Sequence, residues 1–235
     1  MDTKTRHSLK KDRFAQATAS SMSWVSGHRS GVLRMVIAVV VVVVAGATAM
    51  IYWGWSSTKA DAALGAALDA YNAPLAQHGA PATSGVYATS GDRAKAANQQ
   101  FLAVARQYGW LSEGAKAHYF AGVTYEELNQ TAPAETELKA AANSWDRNLA
   151  NLARLALAGL YHQADRDAEA IALYNELASK PSETVPTAVA QLDLADLYSE
   201  EGKIEPARKL WAKVKDADKD GTAGSIATQK LAGKQ

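Results

Sequence analysis

The densest run of potential ligand oxygens in this chain is Asp216-Ala217-Asp218-Lys219-Asp220-Gly221. Carboxylates at positions 1, 3 and 5 followed by glycine at 6 open a calcium loop, which a bidentate glutamate at position 12 must close. Position 12 is Ala227, and the usual apolar residue at position 8 is Ala223. With the closing ligand missing, the run reads as the polar turn that follows one helix and precedes the next. The histidines His7, His28, His78, His118 and His162 include no pair at metal-ligand spacing. No Gly-x-Ser-x-Gly elbow, phosphate loop or dinucleotide fingerprint occurs. The chain has no cysteine, so thiolate nucleophiles, thiolate metal sites and disulfides are excluded. The adjacent carboxylates Glu126/Glu127 and Glu200/Glu201 point in different directions on a helix and read as solvated faces. The expectation is a protein that is not an enzyme and has neither cofactor nor metal. Binding through a surface is the chemistry that remains.

Such a surface needs a scaffold, and the second half of the chain repeats one. A small residue is followed three positions on by Tyr and nine later by Ala, at Gly122/Tyr125/Ala134, Ala158/Tyr161/Ala170 and Ala195/Tyr198/Ala207. Four residues after each Ala stands a bulky side chain, Leu138, Tyr174 or Trp211, and three later an apolar or small one, Ala141, Leu177 or Val214. A recurrence of this length is a helical hairpin that cannot bury its apolar face alone, so several must stack. Small positions let paired helices approach, and the Tyr and the bulky residue fill the gap between them. The predicted helices are 92–107, 113–129, 133–144, 149–163, 167–179, 186–201 and 205–215, with a capping helix at 223–232. Pro133 and Pro206 fall in the first turn of a second helix, where a missing N–H costs little.

These residues resemble the tetratricopeptide repeat (TPR), whose pattern runs Leu-Gly-x-x-Tyr, Ala-x-x-x-Phe, Pro. The matching cores are Ala121–Tyr125, Leu157–Tyr161 and Leu194–Tyr198, with a degenerate earlier repeat at Ala97, Phe101 and Val104. The family's Trp position holds His118, Arg154 and Gln191. The resemblance implies a concave groove lined by first helices. Its positions here are Lys116, Tyr119, Val123 and Glu126, then Leu152, Leu155, Gly159 and His162, then Val189, Leu192, Asp196 and Ser199. The clamp that some relatives use for C-terminal carboxylates is missing, because Leu155 and Leu192 occupy clamp positions. Two readings stay open: an open groove with Tyr119 exposed in it, or a surface closed by Leu155 and Leu192 packing beneath capping elements.

Met35–Trp55 contains no charge, and 21 helical residues at 1.5 Å each span about 30 Å, the thickness of a hydrocarbon core. Six consecutive valines suit a helix only where the backbone has no other partner, as in lipid. Tyr52, Trp53 and Trp55 close the span as an interfacial belt. Small-x-small triplets at Ala45–Ala47 and Ala47–Ala49 allow a signal peptide, but the long basic leader and the continuing apolar run favour a retained anchor. Seven basic residues against two acidic precede the span, and only Lys59 follows it before Arg93. That asymmetry predicts residues 1–34 in the cytoplasm and the repeats on the trans side. Leu9–Val25 reads either as a basic amphipathic helix on anionic lipid or as a disordered tail. A helix at Lys59–Tyr71 and a loop at Asn72–Gly91 lead into the repeats.

The fold expected is therefore all-α: a transmembrane helix followed, over 56–235, by about four hairpins and a cap. The net charge of +1 hides a basic tail and an acidic remainder of 18 basic against 22 acidic residues. No basic stripe is present, so nucleic acid is not an expected ligand. The whole arrangement resembles one bacterial family, the ancillary subunit of the protein-export translocon. That resemblance implies a single-pass inner-membrane protein with a periplasmic repeat domain. The implied partners are the translocon and a membrane-anchored, parvulin-type periplasmic chaperone. The alternative is a scaffold for outer-membrane or cell-division complexes.

Overall fold

The structure is a computed structural model that describes residues 29–76 and 85–233. The predicted segment Leu9–Val25 lies outside the described residues, as does the middle of the Asn72–Gly91 loop. Nine helices are present among the described residues, and no strand. They are α1 Arg29–Tyr71, α2 Ser90–Tyr108, α3 Ser112–Glu127, α4 Thr131–Ala142, α5 Arg147–Gln163, α6 Asp167–Ser179, α7 Thr187–Glu200, α8 Ile204–Ala217 and α9 Thr222–Gly233. The chain divides into two units, Met1–Trp55 and Ser56–Gln235.

The first unit holds the apolar part of α1. The helix from Leu33 onward is long and apolar enough to cross a membrane. Val36, Val39–Val44, Met50 and Ile51 are exposed, as lipid-facing side chains are. Thr48 returns its hydroxyl to the carbonyls of Val44 and Ala45, both at 2.9 Å, so its donor is paired within the helix. The helix expected at Lys59–Tyr71 is the continuation of the apolar one, because α1 runs unbroken through Ser56-Ser57-Thr58 to Tyr71. No Pro interrupts that stretch, and the Ala- and Leu-rich sequence beyond it favours helix.

In the second unit each helix packs on the next along the chain, with lesser contacts from α3 to α5 and from α7 to α9. Ala60, Leu64 and Ala67 of α1 share a core with Ala97, Phe101 and Val104 of α2 and with Ala117 and Ala121 of α3. Phe101 stacks on Phe120, centroids 5.2 Å apart, and Tyr71 meets Phe101 at 6.2 Å. Buried Asn98 donates to the Ala121 carbonyl at 3.0 Å and to Thr124 Oγ1 at 2.9 Å, so its burial between α2 and α3 is compensated. The repeat positions form the next cores: Ala134, Leu138, Ala158, Tyr161, Ala170 and Tyr174 in one, Ala195, Ala207, Trp211 and Val214 in another. A Cβ on Gly122 would lie 2.6 Å from Leu138 Cγ, which is why the smallest residue stands there. At the base of the 72–91 loop, the Ala76 N–H donates to the Tyr87 carbonyl at 2.8 Å and that of Tyr87 to Pro74 at 3.2 Å.

A second periodicity lies in the backbone. Asn129, Asp165 and Gly202 all adopt positive φ, of 56°, 55° and 76°, directly after α3, α5 and α7. In each case the next residue, Gln130, Arg166 or Lys203, donates its N–H at 2.8 Å to the carbonyl of the repeat tyrosine, Tyr125, Tyr161 or Tyr198. The positive-φ residue donates to the carbonyl after that tyrosine, at 2.9, 3.0 and 3.2 Å. These are three copies of one Schellman motif, which satisfies the last carbonyls of a helix and turns the chain sharply.

Candidate protein-binding surface

The twelve residues assigned to a groove fall on α3, α5 and α7, as expected of first helices. Lys116, Tyr119, Val123, Glu126, Leu152, Leu155, Gly159, His162, Val189, Asp196 and Ser199 are half-buried. Leu192 is a correction: it is buried, in the core with Ala195, Trp211 and Val214. Leu155 is also drawn inward and packs against two cores, one containing Leu157 and Tyr174 and the other Leu177 and Val185. Tyr119 is not the exposed ring expected from the pattern. It meets Phe120 edge-on at 5.3 Å and packs against Ala141, Ala142 and Ala153, and burial pushes its hydroxyl pKa up. Gly159 shows the opposite behaviour, because a Cβ there would meet nothing within 4 Å.

The C-terminal ends of the first helices are tied together. Glu127 accepts a short hydrogen bond from the Tyr71 hydroxyl; burial, and then this bond, raise the Tyr71 pKa to about 12. Gln163 donates to Glu126 at 3.1 Å, while burial moves the Glu126 carboxyl above its ordinary range. His162 bridges Asp167 through Nδ1 at 2.6 Å and Glu200 through Nε2 at 2.9 Å. Both ring nitrogens face carboxylates, and only an imidazolium donates at both. The hydrogen bond to Asp167, then that to Glu200, raises the His162 pKa. The carboxylate pairs read from sequence as solvated faces are thus inter-helix links at Glu126, Glu127 and Glu200.

A pH dependence follows from His162. Its folded pKa lies above the ordinary value near 6.5, so its contribution is complete below that value and is lost as pH rises through the raised pKa. The unfolding midpoint of the full chain in detergent is expected to fall as pH rises above about 6.5, and to fall less steeply in His162→Gln. Equal slopes in both proteins would show that the bridge carries no linkage.

Outside the twelve, Glu135 on α4 gathers Arg166 at 2.6 Å, Lys139 at 2.6 Å and the Tyr161 hydroxyl at 3.1 Å. These donors, Arg166 first, hold its carboxyl well down, at about 2. Arg166 also stacks over the Tyr161 ring at 4.1 Å. Two of the three positions matched in the sequence pattern to the repeat's Trp make polar links here. His118 Nδ1 pairs with Glu137 at 2.6 Å, and Arg154 caps the Ala142 carbonyl at 2.9 Å. Asp193, one turn before Asp196, was not anticipated. Burial, with Asp196 nearby, pushes its carboxyl to about 6. Asp196 itself pairs with Lys230 of α9 at 2.8 Å. Spacing alone could have flagged Asp193 beside Asp196, but not the burial that distinguishes it.

The Asp216–Gly221 run starts in the last turn of α8 and becomes a turn at Asp218–Gly221. Asp218 Oδ2 accepts the Gly224 N–H at 3.1 Å and so caps α9. Among the described residues no three His, Cys, Asp or Glu side chains converge on a point that would hold a metal ion. No protein-family model matches the chain, and no curated protein matches it.

Proposed function

We propose that this chain is a membrane-anchored protein-interaction module whose TPR-type hairpins present their first helices to a protein partner. Support for the repeat reading comes from neighbour-on-neighbour packing, from the shared core positions and from the three identical turns. The observation that carries the binding reading is the open space at Gly159 on α5, a helix that also carries the half-buried Leu152, Leu155 and His162. Basic residues before the span support a cytoplasmic N-terminus in a bacterial inner membrane, with the repeats in the periplasm. In that setting the proposed role is an accessory one in protein export, joining the translocon to a membrane-anchored periplasmic chaperone. Its specific part rests on likeness of architecture, since a fold hosts many functions.

The test is cross-linking and copurification from gently solubilised membranes, with wild type beside Gly159→Trp. Replacing a mid-helix glycine that faces open space with Trp relieves a propensity penalty of about 0.5 kcal/mol, so the melting point should hold. The large ring should nevertheless obstruct the surface and cut partner recovery at least about tenfold. Recovery of translocon and chaperone with the wild type supports the export role, whereas recovery of envelope-assembly proteins replaces it with the scaffold role. Undiminished recovery with Gly159→Trp removes the first helices as the contact.

A further inference from the structure

The chain passes from α3 to α4 through Glu127-Leu128-Asn129-Gln130-Thr131, the one place where an Asn is followed two residues on by Ser or Thr. No proline falls at 130 or 132 to spoil the pattern. Asn-x-Thr is the acceptor sequence for N-linked oligosaccharide when it lies in a surface loop on the secreted side of a membrane. Glu127 adds a carboxylate two residues before the Asn, the further element that bacterial transferases read.

The structure meets the surface condition. Asn129, Gln130 and Thr131 are exposed, as are Ala132 and Pro133 after them. Asn129 stands at a φ of 56°, where the chain reverses between the two helices, so the acceptor sits at an apex. Among the described residues neither the Asn129 nor the Thr131 side chain makes a hydrogen bond. The turn itself explains only half of the pattern. Positive φ at 129 suits Asn, Asp or Gly, and the same turn is made with Asp165 and Gly202. It asks for no hydroxyl two residues later, since Asp167 and Ile204 hold that place in the other copies. Nor does the helix ask for it, because α4 begins at Thr131 with no side-chain cap.

We propose that Asn129 is a modification site that accepts an oligosaccharide from a polyprenyl-diphosphate donor, through a membrane oligosaccharyltransferase acting on the trans side. Asn129 Nδ2 forms a bond to C1 of the first sugar while the C1–O bond to the diphosphate breaks. Polyprenyl diphosphate leaves, and one amide proton passes to a base of the transferase. The Thr131 hydroxyl is the group by which the transferase recognises the segment. The site rests on the trans-side placement proposed above and uses none of the twelve groove positions.

The experiment gives the folded full chain, in detergent micelles, a purified bacterial oligosaccharyltransferase and its polyprenyl-diphosphate-linked oligosaccharide. The intact mass should rise by one oligosaccharide, and peptide mapping should place it on Asn129. Thr131→Ala should slow transfer at least about a hundredfold, because a site built to hydrogen-bond a hydroxyl strongly rejects a substrate without one. Thr131→Ser should retain transfer. Asn129→Gln should abolish it. Should the positive φ make that variant misfold, the two Thr131 variants read the same site with the turn residue untouched. No mass gain, a gain retained in Asn129→Gln, or an undiminished gain in Thr131→Ala overturns the proposal. Coexpression of the chain and the transferase in bacterial cells tests the placement separately. Transfer in micelles but not in cells removes the trans-side reading and leaves the acceptor, whereas no transfer in micelles removes the acceptor and leaves that reading.

Discussion

Trp211→Ala is expected to destabilise the protein by about 3–5 kcal/mol, the range for removing a fully buried aromatic ring. Trp211 is 1% exposed and fills the space between α7, α8 and α9 beside Leu192, Ala195 and Ala227. Its Nε1 is buried with no hydrogen-bond partner among the described residues. Trp211→Phe should therefore cost markedly less than truncation, because it keeps most of the ring and removes a polar atom that is expensive to bury. Guanidinium unfolding of the full chain in detergent measures both variants. A loss under about 1 kcal/mol for the alanine variant would mean that the α7–α8–α9 core is not closed by this residue.

Gly114→Ala should cost about 3 kcal/mol, at or above the upper end for overpacking, although the change adds a single methyl group. Gly114 is the third residue of α3, and a Cβ there would stand 2.2 Å from the Tyr108 carbonyl oxygen and 2.6 Å from Gly109 Cα. Both are backbone atoms, so no side-chain rotation relieves the clash. The α2–α3 turn must open, which loosens the packing of Phe101 on Phe120. Gly224, third in α9, meets the end of α8 in the same way, with the Asp218 carbonyl oxygen 1.9 Å from its notional Cβ. Gly159→Ala is the control, as it fills open space. An undiminished melting point for Gly114→Ala would show that the α2–α3 turn is looser than described.

These two glycines mark a boundary of what could be read from residues alone. Helix positions and the Ala134, Ala170 and Ala207 contacts followed from spacing, because apolar periodicity within one helix is a local property. The apolar span was legible for the same reason. The continuation of that helix to Tyr71 has its physical reason in the packing of Ala60, Leu64 and Ala67. Asn129 and Asp165 tolerate the left-handed conformation without being glycine, so the common turn was hidden by three different residue types. Among the groove positions, sequence placed all twelve on the right helices but could not rank their exposure. Leu192 and Tyr119 turn inward because of α8, α9 and α4 neighbours far along the chain. Likewise Glu126, Glu127 and Glu200 find partners 37, 56 and 38 residues away, distances at which no helical rule operates.

The neighbour-on-neighbour packing has a consequence for how the molecule assembles. Loop closure is slow to reward contacts between distant residues, and folds built from near ones form quickly. In the unit Ser56–Gln235 a helix meets its main partner within about 40 residues, the length of one repeat. A chain delivered N-terminus first therefore never has to wait for its far end: α2 and α3 dock on the end of α1, and each later hairpin lands on one already in place. Only the last surface stays unprotected, the face of Trp211 and Val214, until Ala227 of α9 arrives to cover it.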